Sequence, residues 1–200
     1  MNSEFANLTI GVLGLQGAFE KHRLMVERCG ATGLIVRRKD ELDCVGALII
    51  PGGESTTINI LFERTGLGDE IRKRVLAGMP IYGTCMGMIV IARNIAGMKQ
   101  DALGLLDVEV ERNAYGRQLE SFESDLTIPT IGPDPFRGVF IRAPIVKSVG
   151  PKCEILCKHE DRIVMVRQGS MLGSSFHPEL TDDGRIHQMF LRMVRPETRD

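Results

Sequence analysis

No stretch of this 200-residue chain is apolar for long enough to cross a bilayer. Its longest apolar runs, 47–51 and 86–92, fall far short of the ~20 residues a spanning helix requires. Basic blocks are also missing. The 25 Lys and Arg are scattered among 26 Asp and Glu, with a formal net charge of −1. Without a basic stripe, electrostatic capture of nucleic acid is disfavoured. The opening MNSEFANLTIG has no basic segment followed by an apolar core, so it does not read as a secretion signal. The five cysteines are odd in number and lack the spacing of a disulfide framework, which points to a reducing, cytoplasmic compartment. There is no internal repeat and no low-complexity tract. What remains is 43% hydrophobic, enough for one compact domain over 1–200, with 1–7 expected as a flexible tail.

The first half alternates two periods. Residues 8–15, 33–37, 47–50 and 81–82 have the composition of buried strands. Between and after them, 18–29, 67–77 and 86–96 have the length and pattern of helices, with Ser55 or Thr56 placed to cap another. Strand–helix alternation predicts an α/β fold: a doubly wound, mostly parallel sheet with helices on both faces. The second half changes character. Short strand candidates at 106–111, 139–142, 154–156, 163–167 and 171–175 predict a smaller antiparallel region. The three prolines of 129–136 predict a loop, and 185–194 a closing helix.

Three short segments carry chemistry. Gly83-Thr84-Cys85-Met86-Gly87 sits between a predicted strand and a predicted helix, the setting of a nucleophile elbow. A helix starting after Cys85 favours the thiolate, the species that attacks a carbonyl carbon. The Met86 N–H then faces the resulting oxyanion. Taken alone, such a motif is as often a small buried residue between packing glycines. Ser175-Phe176-His177-Pro178-Glu179 supplies a base and an orienter: in an extended segment 177 and 179 share a side. Its bland alternative is a surface His in a Pro turn. Pro51-Gly52-Gly53-Glu54-Ser55-Thr56 follows a predicted strand at the sheet edge where substrates bind. There the Gly53 N–H is a candidate second oxyanion donor beside Met86. Its alternatives are an ordinary Gly-rich turn or a phosphate loop, and the Lys of a Walker pattern is absent. Together the segments specify acyl transfer through a thioester.

In this order and spacing, the three segments resemble the class I (triad) glutamine amidotransferases. IGVLGLQGAFEKH (10–22), PGGESTT (51–57), ERNAYGRQLESFE (111–123), GVFIRAP (138–144) and SFHPELTDD (175–183) resemble, more narrowly, the glutaminase subunit family of pyridoxal 5′-phosphate synthases. The resemblance spans about residues 8–194. It implies Cys85 as nucleophile with His177 and Glu179 completing the triad. It also implies Gly53, Glu54, Ser55, Arg112, Ile141 and Arg142 as glutamine contacts. An Arg fork suits a carboxylate, whereas Arg112 without the family would read as a strand-end residue paired with a Glu. The implied partner is a separate synthase subunit that receives ammonia in a hetero-oligomeric complex. Pyridoxal 5′-phosphate is that complex's product, so no cofactor is expected here. The family places Ala after the nucleophilic Cys, where this chain has Met86, whose side chain would narrow the pocket or the ammonia exit.

Other residues are expected to be bland. Cys153, Cys157 and His159 do not have zinc spacing, and 153, 155 and 157 on one strand face predict packing, so no metal site is expected. His22 is expected at the surface or near a partner, and His187 packed or solvated on the last helix. The alternatives to a pyridoxal phosphate synthase glutaminase are three: an amidotransferase subunit of another pathway, a partnerless Cys hydrolase, and a catalytically silent regulatory partner.

Overall fold

The first apolar run forms strand β1 (Thr9–Leu13), and the chain winds outward from it in both directions. A computed structural model describes residues 4–97, 103–112 and 121–194. Helix α1 (Phe19–Arg28) carries the chain to β2 (Thr32–Val36), which pairs parallel with β1 on one side. Strand β3 (Ala47–Ile50) then returns to the other side of β1. Helices α2 (Ser55–Thr65) and α3 (Leu67–Leu76) lead to β4 (Ile81–Thr84), parallel to β3. After α4 (Met86–Ile91) come β5 (Ala92–Ile95), β6 (Leu106–Glu111), the ribbon β7 (Ser121–Leu126) and β8 (Phe136–Ile141), then β9 (Ile145–Val149), β10 (Glu154–His159) and β11 (Arg162–Gln168). Strand β12 (Met171–Ser174) re-enters the parallel sheet beside β4, and α5 (Arg185–Leu191) follows it.

The resulting order is β2-β1-β3-β4-β12-β11-β9-β6-β5, with β10 branching from β11 and β7-β8 as a separate two-stranded antiparallel sheet. The expected α/β class holds: a large, mostly parallel sheet beside antiparallel strands. Buried strands alternate side chains between two cores. Leu48 and Ile50 of β3 face Ile58, Phe62, Ile71 and Met88 of α2–α4. Ala47 and Ile49 face a second cluster with Val26 of α1, Phe190 of α5 and Phe140 of β8. Each fully buried aliphatic side chain contributes about 1.5–3 kcal/mol. The reversal in strand order lies between β2-β1 and β3-β4, and the carboxyl ends of β1, β3, β4 and β12 converge on one edge. That is where an open α/β sheet leaves a crevice.

Several boundaries differ from expectation. The helix expected over 86–96 ends at Ile91. Ala92 turns extended (φ −60°, ψ 156°), and 92–95 pair parallel with β6, giving that strand's edge the backbone partners it needs. Strands β7 and β9 were not expected because SFESDL and IVKSV are too polar to stand out. The tail is partly structured: residues 4–7 turn, and Phe5 is buried under the Arg192 guanidinium, which lies 5.8 Å from the ring centroid. Residues 1–3 and the motif residues 113–120 lie outside the described residues.

Candidate active site

Cys85 occupies the corner between β4 and α4 with φ 49° and ψ −110°. A non-glycine residue there costs about 1–3 kcal/mol and persists only where its surroundings impose it. Two neighbours do so. The Cys85 N–H donates to the Ser174 carbonyl of β12 at 2.7 Å. The flanking glycines are pressed against backbone: a Cβ on Gly87 would meet the Ile50 carbonyl, and one on Gly83 would meet the Gly87 carbonyl. This is the physical content of the G-x-C-x-G spacing. The Cys85 Sγ lies 3.7 Å from the Ile141 carbonyl at the end of β8. Met86 is the first helical residue, so the helix itself does not consume its N–H. Its side chain is buried in the core under α2–α4 as well as bordering the cavity.

His177 leaves β12 with its N–H on the Val139 carbonyl at 2.8 Å. The segment is not extended as expected, because Pro178–Leu180 form one 3-10 turn. The turn still brings the two side chains together: His177 Nδ1 is 2.7 Å from Glu179 Oε1. Burial works to lower the His177 pKa, but hydrogen bonds and charge from Cys85 and Glu179 outweigh it and push it up to about 10. Burial likewise works to raise the Glu179 pKa. Attraction to the N–H edge of His22 and the bond to His177 win, holding the carboxyl well below its usual range.

Behind the carboxylate lies a polar cluster that the sequence reading missed. Glu179 Oε2 is 3.2 Å from His22 Nε2. That same nitrogen is 3.1 Å from Thr84 Oγ1, and His22 Nδ1 is 3.0 Å from His187 Nε2. The expectation of a surface His22 is therefore wrong; both histidines are fully buried. The signal was present in the spacing 22, 25, 26, which puts His22 on the inward stripe of α1 with Met25 and Val26.

A cavity of about 530 Å³ opens over Cys85 and His177. Gly52, Gly53, Glu54, Arg112, Ile141 and Arg142 line it, with Gln16. Gln16 clamps the loop through both amide atoms: Nε2 donates to the Glu54 carbonyl at 2.6 Å, and Oε1 accepts the Glu54 N–H at 3.0 Å. Gly52 packs so closely that a Cβ would lie 3.3 Å from Cys85 Cβ and 3.1 Å from His177 Nδ1. Glu54, not Ser55 or Thr56, caps α2. Its Oε2 accepts the Thr57 N–H at 3.0 Å and the Thr57 hydroxyl at 2.7 Å, and Ser55 is the first helical residue. Across the cavity, Arg112 Nη2 is 4.0 Å from Glu54 Oε1. Arg142 has φ 43°, a second strained backbone at the same rim.

The other thiols turn elsewhere. Cys153 Sγ lies 3.2 Å from Gln168 Oε1, and a register shift between Ile155 and Cys157 leaves Ile155 exposed and Cys157 buried. The shared face expected for 153, 155 and 157 is thus broken by a bulge. His159 stacks on Phe122 with ring centroids 5.5 Å apart.

A cysteine elbow at the switch edge of this sheet, facing a His–Glu pair, is the arrangement of class I glutamine amidotransferases. A crystal structure of a glutamine amidotransferase matches the chain with a TM-score of 0.88 and 49% identity, covering 92% of this chain and 98% of that one. The chain belongs to the SNO glutamine amidotransferase family, whose model matches residues 12–196. It is 52% identical over 184 residues to "Pyridoxal 5′-phosphate synthase subunit PdxT" of Pelotomaculum thermopropionicum, covering 92% of this chain and 94% of that protein. It is 50% identical over 187 residues to the protein of the same name from Bacillus velezensis, covering 94% and 95%.

Proposed function

We propose that the chain, as a single glutamine amidotransferase domain, hydrolyses L-glutamine to glutamate and ammonia. The ammonia goes to a synthase subunit that makes pyridoxal 5′-phosphate. The observation that carries the chemistry is the 2.7 Å His177–Glu179 contact beside Cys85 at the base of the cavity. The names of the relatives carry the pathway and the partner.

Cys85 sulfur attacks the side-chain amide carbon, and the electron pair moves onto the amide oxygen. The Met86 and Gly53 N–H groups receive that oxyanion. His177, held in its protonated form by its neighbours, passes a proton to the leaving nitrogen. Ammonia departs, leaving a thioester on Cys85. His177 then takes a proton from water, whose oxygen attacks the thioester, and glutamate and the thiol are released. Glu179 keeps the ring oriented and its charge compensated. Arg112 binds the substrate's α-carboxylate as a fork. The Gly53–Ser55 stretch with Ile141 and Arg142 completes the pocket. The compartment we propose is the cytoplasm; among the described residues no helix is long and apolar enough to cross a membrane.

The test is ammonia release from glutamine, with and without the cognate synthase subunit, for wild type and Cys85→Ala. Release that depends on Cys85 and rises with the synthase is expected. Equal release by Cys85→Ala would remove the thioester mechanism. Activity indifferent to the synthase would remove the partner.

A further inference from the structure

The triad as usually drawn ends at its carboxylate, yet here that carboxylate has a built environment behind it. Glu179 Oε1 is committed to His177. Its Oε2 is fully buried and has no in-line hydrogen bond among the described residues; the group set against it is the His22 ring edge, at 3.2 Å. An ionised oxygen in such a site is costly unless a donor or a positive edge faces it.

The hydrogen-bond partners of the two histidines favour one arrangement of their ring hydrogens. Among the described residues, His187 Nδ1 is buried without a partner. A bare lone pair there is cheaper than an unbonded N–H. The His187 hydrogen therefore sits on Nε2 and is donated to His22 Nδ1 at 3.0 Å. His22 Nδ1 then accepts, and the His22 hydrogen must sit on Nε2. That nitrogen lies 3.1 Å from Thr84 Oγ1 and 3.2 Å from Glu179 Oε2. Thr84 Oγ1 in turn accepts the Gly52 N–H at 3.1 Å. Full burial keeps His187 neutral, lowering its pKa to about 3.

We infer that His22, set in this tautomer by His187, is a positioning residue that braces the triad carboxylate and the Gly52 loop at once. Its Nε2–H is donated to Thr84, and the same polar ring edge stands 3.2 Å from Glu179 Oε2, so the acid that aims His177 and the loop that carries Gly53 share one side chain. The role rests on the glutaminase reading above. The titratable groups facing His22 are Glu179 from the 3-10 turn and His187 from α5; Tyr82 of β4 packs edge-on to His187, with centroids 6.4 Å apart. His177 and Cys85 lie one step further on.

The experiment uses the chain with its synthase subunit and compares wild type, His22→Gln, His22→Asn and His22→Leu. A Gln amide nitrogen reaches about where Nε2 stands, and an Asn amide does not. The expected result is a kcat loss of about 10- to 100-fold for Leu and Asn, as for supporting partners behind metal-bound histidines. KM should stay within about twofold, and Gln should restore most of kcat. The pH profile of Cys85 alkylation by iodoacetamide, measured without glutamine, should move in the Leu and Asn variants and stay near wild type in Gln. Gln and Asn variants with the same kcat and the same alkylation profile would overturn the inference, and their comparison stands even where Leu prevents folding. A wild-type complex that releases no ammonia would sink the glutaminase reading alone, because the alkylation profiles still decide the role of His22.

Discussion

The Gly52 N–H donates to Thr84 Oγ1 at 3.1 Å, one residue before Cys85 on the neighbouring strand. The glycine loop and the Cys85 elbow are thereby a single unit: β3 and β4 run parallel into it, and the bond closes it at the top. Misplacing either part misplaces both.

Gly52→Ala tests that unit. The added methyl would press on the His177 ring and on Cys85 Cβ. Displacements near 1 Å at reacting groups cost about 100-fold in rate. Glutaminase kcat should fall by at least about that factor, while the variant still melts cooperatively. Steady-state ammonia assays and thermal melts give both numbers.

Glu179→Gln should lower kcat by about 100- to 10,000-fold, since the ring loses its orienter and counter-charge. It should also flatten the pH dependence of stability. The Glu179 carboxyl is depressed from its ordinary 4.5, so its contribution is present above pH 4.5 and is lost as pH falls through the folded value. His177 is raised from 6.5 to about 10, so its contribution is complete below pH 6.5 and is lost as pH rises toward 10. The two describe one coupled pair and do not add. Melting temperatures across pH 3–10, wild type against variant, should show both flanks shrinking together.

Arg112→Ala separates binding from chemistry. A charge-assisted bond to the substrate carboxylate contributes about 1.5–3 kcal/mol, which predicts a KM rise of about 10- to 100-fold with kcat little changed. A KM that stays put would leave Arg112 as the partner of Glu54, to which it already stands 4.0 Å away.

Phe5→Ala probes the ordered part of the N-terminus. Phe5 is buried among the residues packed under α1 and α5. Its truncation should cost about 3 kcal/mol, read as a lower denaturant midpoint with unaltered KM for glutamine.

Much of the proposed site is legible in the sequence because its constraints are local. The turn at Cys85 needs glycines at fixed offsets, and His177 and Glu179, which pair in the structure, are two residues apart. The strand–helix alternation of the first half likewise announced the parallel sheet. What escaped detection depends on distant partners. His22 looks like a surface residue until α1 packs its inward stripe against Thr84 and His187, which lie 62 and 165 positions away. The end of α4 at Ile91 is decided by the β6 edge, and β7 exists only as the partner of β8. Phe5 sits in a polar context, and its burial is set by the second core.

Strand β12 enters the sheet beside β4, although 86 residues separate Thr84 from Met171. Such non-local pairing is slow to form, because a long loop must close before the contact rewards it. The proposed nucleophile Cys85 is thus synthesised well before His177 and Glu179, and the segment that supplies them also delivers the Ser174 carbonyl that pins the elbow. A nascent chain carries Cys85 without the His–Glu pair that the proposed mechanism needs. Ammonia production becomes a property of completed chains, and its onset during refolding would time the insertion of β12.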